Sequence, residues 1–298
     1  MSERTSASMT MHLISAARRR AAEAAGFSAL RLAVLAAVGS LIAITILVAW
    51  HAWPALSWEL LTEPPRDLMT KGGIWPCIAG TFCLAGGALV IALPFGVLAA
   101  IYLTEYGRRG SAWTEIARLS AANLAGVPSI VFGLFGLTFF CSTLGLRVSL
   151  LSGILTLAVL SLPVIISTTE AALSQVPQAW REASMALGAT RSETVLKVVL
   201  PNALPGVLTG AILALARAAG ETAAIMYTGA VFFTPREGVS IFEPVMALPY
   251  HIYVLATSGT QIEQTRPLQY AASLVLLLLV LVMSLAAIII RERRRGGD

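Results

Sequence analysis

Six apolar runs, approximately Leu30 to Trp50, Ile74 to Thr104, Ile116 to Leu144, Val148 to Thr169, Ala203 to Phe233 and Leu268 to Ile290, constrain this chain more than any motif in it. A helix crosses a hydrocarbon core about 30 Å thick with about 20 apolar residues, so each run spans or nearly spans a bilayer alone. Within such a run every backbone amide needs a partner inside the protein, which leaves helices or closed barrels. Uninterrupted apolar stretches fit helices, because barrel strands alternate in polarity. The sequence predicts an all-α polytopic transmembrane bundle of about six spans. Composition agrees: 57% of residues are hydrophobic and 12% charged, against about 25% charged in a soluble domain. The first run is expected to be a retained span. Its apolar core exceeds the 7–15 residues of a signal peptide, and Trp50-His51-Ala52-Trp53 is no small-residue cleavage site.

The net charge of +5 and pI near 9.4 report topology rather than nucleic-acid binding. With six spans and both ends on one side, that side holds Arg4, Arg18, Arg19, Arg20, Arg108, Arg109, Arg118, Arg181, Arg191, Lys197, Arg291, Arg293, Arg294 and Arg295. The other side holds Arg66, Lys71, Arg147, Arg236 and Arg266. The positive-inside bias therefore predicts cytoplasmic termini. Cys77, Cys83 and Cys141 lie in or beside spans without metal-site spacing, and read as small buried apolar residues. His12, His51 and His251 are scattered, so neither a zinc peptidase nor a histidine-based nucleophile has a foothold, and no metal or catalytic residue is assigned.

The predicted organisation is a cytoplasmic tail over residues 1–28, flexible or amphipathic, a first span with an external loop over 29–73, a transmembrane domain over 74–290, and a basic tail over 291–298. The loop carries Pro54, Pro64 and Pro65, and Trp50, Trp53, Trp58 and Trp75 suit the membrane interface. Pro94-Phe95-Gly96, Gly126-Val127-Pro128-Ser129 and Leu162-Pro163 interrupt the second, third and fourth runs. Such breaks either border a pathway or are packing kinks.

Residues 174–201 form a polar cytoplasmic loop too ordered for a linker. Pro177 suits a first helical turn, Gly188 a C-terminal stop, Thr190 or Ser192 a cap for a second helix with Glu193 in its first turn, and Pro201 an end. Glu182-Ala183-Ser184, three residues, Gly188, nine residues, then Val198-Val199-Leu200-Pro201 resembles the EAA loop of ABC importer permeases, departing at Ser184 for Ala and Val198 for Ile. The resemblance implies a coupling helix that docks in a groove of an ATPase subunit. Small side chains at Ala183, Ala186 and Gly188 allow close approach to a partner, while Arg181 and Glu182 are expected to be available for polar contacts. A helix-turn-helix DNA reader is the rival, weakened by the flanking spans.

The fifth run holds charges at membrane depth, in Arg217-Ala218-Ala219-Gly220-Glu221-Thr222. Each costs about 2.5–3.5 kcal/mol at a helix centre, so each calls for a partner or a function. Four-residue spacing places Arg217 and Glu221 on one helical face, where they pair with each other or serve a substrate. A guanidinium offers planar bidentate donors to an oxyanion, and the carboxylate accepts a proton from protonated phosphate, holds the guanidinium, or repels fully deprotonated anions.

This segment resembles the R-A-x-G-E-T stretch of phosphate (Pst) permeases. Asn123-Leu124-Ala125-Gly126-Val127-Pro128-Ser129 through Leu134, and Pro244 to Tyr253, are similar to the PstA-type branch. The resemblance implies a MetI-like permease fold in the cell membrane and a substrate pathway with Arg217, Glu221, Thr222, Asn123 and Ser129. It implies a coupling surface with Arg181, Glu182, Ala183, Ala186, Gly188 and Pro201. Expected partners are phosphate, membrane lipid, a PstC-like permease as heterodimer, two copies of a PstB-like ATPase and an extracytoplasmic PstS-like binding protein. No GxxxxGK[ST] loop is present, so ATP and its Mg²⁺ are expected on the ATPase and this chain carries no cofactor and is not an enzyme. Permeation of molybdate, sulfate or phosphonate, or an ATP-independent carrier, are the alternatives.

Overall fold

The computed structural model describes residues 2–66, 71–107, 110–234, 240–257 and 262–295, which divide into two units, Met1–His51 and Ala52–Asp298. Arg108, Arg109 and Arg236, counted above for topology, lie outside the described residues.

The first unit is a single helix, α1, which runs Ser2–Ala52. The expected tail over 1–28 is thus helical and continuous with the span that follows it. Alanine, arginine and glutamate are good helix formers, and no proline interrupts the stretch.

In the second unit, a 3₁₀ turn Trp53–Ala55, helix α2 (Trp58–Thr62) and a two-residue antiparallel pair, β1 (Pro65–Arg66) with β2 (Lys71–Gly72), make up the predicted external loop. Ser57 caps α2 by accepting from the Leu60 amide at 3.1 Å. Trp53, Trp58 and Trp75 are exposed, as interfacial anchors require.

The spans follow. Helix α3 (Trp75–Ile101) runs into a π-turn, Tyr102–Tyr106. Helices α4 (Ala112–Ala125) and α5 (Ser129–Gly136, extended by a π segment Leu137–Thr143) replace the third run. They are bent by 105°, so among the described residues five helices are long and apolar enough to cross a membrane, or six if this pair makes one span. The break has a local cause: Gly126 closes α4 on the Asn123 carbonyl at 3.0 Å, and Pro128 holds the extended conformation that starts α5.

Helix α6 (Leu150–Gln175) leads to the loop predicted to be cytoplasmic. This loop comprises α7 (Gln178–Ala186), α8 (Arg191–Thr194) and a π segment, Val195–Val199, that continues without interruption into α9 (Leu200–Gly220). Short helices α10 (Ile225–Thr228) and α11 (Leu248–Thr257) precede α12 (Ile262–Arg295). Pro94 and Pro163, expected as breakers, sit inside α3 and α6 without ending them. Pro201 likewise does not end the second loop helix. The π segment before it lets the Leu200 amide reach back to the Val195 carbonyl, which accommodates a residue that has no N–H.

Helix α6 packs between α3 and α9, and small residues bring the backbones together. A methyl group added at Gly96 of α3 would fall 2.6 Å from Ile165, and one at Gly210 of α9 would collide with Thr168. Leu84, Ala88, Leu157, Leu160, Leu215 and Ala219 form the middle of the core. Ala100, Ile101, Leu173, Val195 and Val199 form a separate cluster where the cytoplasmic loop meets the spans. At the other end Ile74, Cys77, Met246, Leu248 and Ala272 pack together, and the Leu248 amide donates to Thr81 Oγ1 at 2.9 Å. Outward-facing Val90, Phe95, Leu98, Leu213, Leu281 and Val282 are exposed, an apolar perimeter that suits lipid or a companion subunit.

Candidate functional site

Two regions gather the residues singled out by sequence. The first lies at two neighbouring helix breaks. Helix α9 stops at Gly220, and Glu221 is extended at φ −75° and ψ 127°. The expectation of one helical face shared by Arg217 and Glu221 is therefore corrected, because the helix ends between them. Among the described residues no ion pair joins them. Glu221 instead turns onward, its Oε1 accepting from the Ala224 amide at 3.4 Å at the start of α10. Arg217 is exposed in the last turn of α9 and has no hydrogen-bond or ion-pair partner among the described residues. Thr222 follows, half-buried.

The second break, between α4 and α5, is packed against the first. A methyl group on Gly133 of α5 would lie 2.9 Å from the Ala223 carbonyl, so α5 lies directly on the segment after α9. Val127, Phe132, Ala218, Ala219 and Ala224 share one core cluster. Asn123, exposed near the end of α4, and half-buried Ser129, first residue of α5, flank the bend. The five predicted pathway residues thus fall at two adjoining interruptions. No hydrogen bond joins Arg217 to Asn123 or Ser129 among the described residues.

The second region is the loop between α6 and α9. Helix α7 ends in a paired-carbonyl closure: the Gly188 amide donates to Met185 O at 3.0 Å and the Ala189 amide to Ser184 O at 3.3 Å, with Gly188 at φ +87°. Helix α8 starts in a capping box, Thr190 Oγ1 accepting from the Glu193 amide at 3.3 Å and Glu193 Oε2 from the Thr190 amide at 3.0 Å. Ser184, the departure from the EAA pattern, has a specific partner: its hydroxyl lies 2.9 Å from that of buried Thr194 and ties α7 to α8.

Glu182, Ala183, Ala186 and Gly188 face outward, and Pro201 is exposed. Arg181 does not. Its side chain is 11% exposed and turns inward to Glu105, with Nη2 at 2.7 Å from Oε1, so the expectation of an outward polar contact is corrected for this residue. Trp180 and Leu187, unmarked by sequence, are exposed at 48% and 91%. Together with Ala183 they occupy positions i, i+3 and i+7 of one face, the spacing that would have revealed them. Exposed apolar side chains grouped on one helical face are of the kind that mark interaction surfaces.

Residues 92–296 match the family model described as the binding-protein-dependent transport system inner membrane component. The chain belongs to this family. The match takes in the cytoplasmic loop and both helix breaks, and excludes α1. Among the relatives of this family member is the phosphate transport system permease protein PstA 2 of Mycobacterium bovis, 36% identical over 77% of this chain and 74% of its own length. The probable ABC transporter permease protein YqgI of Bacillus subtilis is 32% identical over 79% and 83%. In fold, it resembles a chain of the inward-facing MetNI methionine ABC transporter, with TM-score 0.56 and 24% identity over 74% of this chain and 94% of that one. The protein is a multi-pass membrane permease. Among its described residues no group of three His, Cys, Asp or Glu is placed to hold a metal.

Proposed function

We propose that the chain is the PstA-type permease half of an ATP-driven phosphate importer. Relatives at 34–36% identity carry the name phosphate transport system permease, which supports the substrate class. The observation that carries the reading is Arg217, a guanidinium in the fifth apolar run, exposed, and without a partner among the described residues, beside two adjoining helix breaks. A charge in that position facing lipid costs several kcal/mol, so it faces a hydrated conduit or a companion subunit. Broken helices at membrane depth are where transporters place anion contacts. Arg217 supplies bidentate donors to a phosphate oxyanion, with Glu221 as selectivity gate and Thr222, Asn123 and Ser129 along the same route. The negative end of the α9 dipole opposes the anion, so the full charge of Arg217 is required there.

The remaining components follow from this reading. A PstC-like permease completes the pathway, and two PstB-like ATPases hold ATP and Mg²⁺. A PstS-like protein delivers phosphate outside, and both termini lie in the cytoplasm. Glu182, Ala183, Ala186, Gly188 and Leu187 form the face that docks on the ATPase, and Pro201 positions the start of α9. The boundaries proposed are a tail over 1–28, span and loop over 29–73, the permease domain over 74–290 and a basic end over 291–298. Nucleotide closure of the ATPases moves the docked loop and rocks the spans between inward-open and outward-open states.

Vesicles holding the permease pair with ATPase, binding protein and ATP test the reading. Wild type is expected to accumulate phosphate, and Arg217→Ala to abolish uptake while leaving insertion and ATPase docking intact. Normal uptake by that variant, or uptake abolished by excess molybdate or sulfate, would overturn the assignment of site or substrate.

A further inference from the structure

Arginines from three other helices converge on the π-turn that ends α3. The π segment closes with the Gly107 amide on the Tyr102 carbonyl at 2.7 Å, and the last carbonyls of a helix have no amide donor within it. Arg118 of α4 supplies Leu103 O at 3.0 Å and pairs with Glu170 of α6 at 3.2 Å. Arg191 of α8 donates to Glu105 O and lies over the Tyr106 ring, 5.3 Å from its centroid. Arg181 of α7 grips the Glu105 carboxylate, Nη2 to Oε1 at 2.7 Å and Nε to Oε1 and Oε2 at 3.1 and 3.3 Å. Its other donors reach Val176 O at 2.6 Å and Leu173 O at 2.8 Å, at the end of α6. These groups border a cavity of about 1100 Å³.

Only one of the pairs is sealed: Arg181 and Glu105 are 11% and 8% exposed, whereas Arg118 and Glu170 are 49% and 22%. A bidentate pair out of water admits little relative displacement, because separating the partners leaves two uncompensated charges in a low dielectric. Helices α7 and α8 move as one piece through the Ser184–Thr194 bond and the closed Gly188 turn. Any displacement of α7 is therefore handed to α3 through Glu105 and to α6 through the Leu173 and Val176 carbonyls.

We infer that Glu105 and Arg181 are positioning residues that form the sealed mechanical link between the coupling loop and span α3, so that the stroke of a docked ATPase reaches α3 through this ion pair. The inference rests on the permease-with-ATPase reading of the previous section. A pair that only stabilised the fold would weaken hydrolysis and transport together. A link that transmits motion changes their ratio.

The experiment uses the assembled transporter in vesicles with wild type, Glu105→Gln, Arg181→Lys and the exchanged pair Glu105→Arg/Arg181→Glu. ATP hydrolysed per phosphate imported is expected to rise about tenfold or more in Glu105→Gln, with ATPase still co-purifying, and to fall back toward wild type in the exchanged pair. A second measurement does not depend on the substrate: the distance between spin labels at Leu187 of α7 and Leu98 of α3, with and without nucleotide. It is expected to stay fixed in wild type and to change by more than about 2 Å, the scale of helix shifts in switching assemblies, in Glu105→Gln. An unchanged hydrolysis-to-transport ratio, or a label distance that shifts with nucleotide in wild type, overturns the link. Wild-type vesicles that hydrolyse ATP but import no phosphate overturn the substrate reading instead, and leave the distance measurement standing.

Discussion

Gly188 separates two reasons for a glycine on the loop proposed to couple to the ATPase. It is held at φ +87°, and nothing lies within 4 Å of the position a Cβ would occupy. An L side chain in the left-handed region costs about 1–2 kcal/mol whatever its size, and with open space around it a larger side chain adds no clash. Gly188→Ala and Gly188→Leu are therefore expected to loosen the turn equally in the isolated permease. The Ala189 amide, bonded to Ser184 O at 3.3 Å, reports the change: its protection from hydrogen exchange should fall about 5–30-fold in both variants. Gly188→Asn should lose less, since Asn tolerates this conformation. Exchange on peptides covering 182–195, from permease in lipid nanodiscs, measures it. In the assembled transporter the Leu variant should transport less than the Ala variant, because a docked partner introduces a limit on size that the free loop lacks. Much lower protection in Leu than in Ala without the partner would refute the reasoning, and undiminished protection in Ala would refute the left-handed turn itself.

Ser184→Ala should strip the buried Thr194 hydroxyl of its 2.9 Å partner, at about 1–3 kcal/mol, and lower the melting temperature in detergent. The double variant Ser184→Ala/Thr194→Val should recover most of that loss, and a double variant less stable than Ser184→Ala would count against the bond. Gly136→Val should collide with Thr156 and Thr228 where α5 meets α6 and α10, an overpacking cost of about 1–3 kcal/mol. A melting temperature equal to wild type would show that α5 does not pack there.

The spans and the cytoplasmic loop were legible because their signals are local. Apolar runs need no knowledge of distant residues, and Thr190 with Glu193 three positions on is a cap wherever it occurs. The end of α9 was not legible. Nothing in Arg217-Ala218-Ala219-Gly220-Glu221 forbids continuation, and Gly220 merely lowers helix propensity. Pro201 misled in the opposite direction, because the π segment before it absorbs a residue that a regular helix rejects. Trp180 and Leu187 are legible only through their spacing, which with Ala183 marks one face, a weaker signal than a motif or a cap.

Arg181 shows where local reading ends. Its partner Glu105 is 76 residues away, beyond any periodicity argument. The cost of a buried charge identifies arginines that need a partner but does not say where the partner is. By sequence that rule applies to Arg217 alone, since Arg181 lies on a polar loop, and the structure reverses the expectation. Arg181 is saturated from within, by two carboxylate oxygens and two carbonyls, so it holds the protein's own parts together. Arg217 is supplied by nothing among the described residues. Its partner is therefore sought outside the chain, in a substrate or a neighbouring subunit, and this difference is what the two proposals rest on: Arg181 as part of the drive, Arg217 as a contact for the cargo.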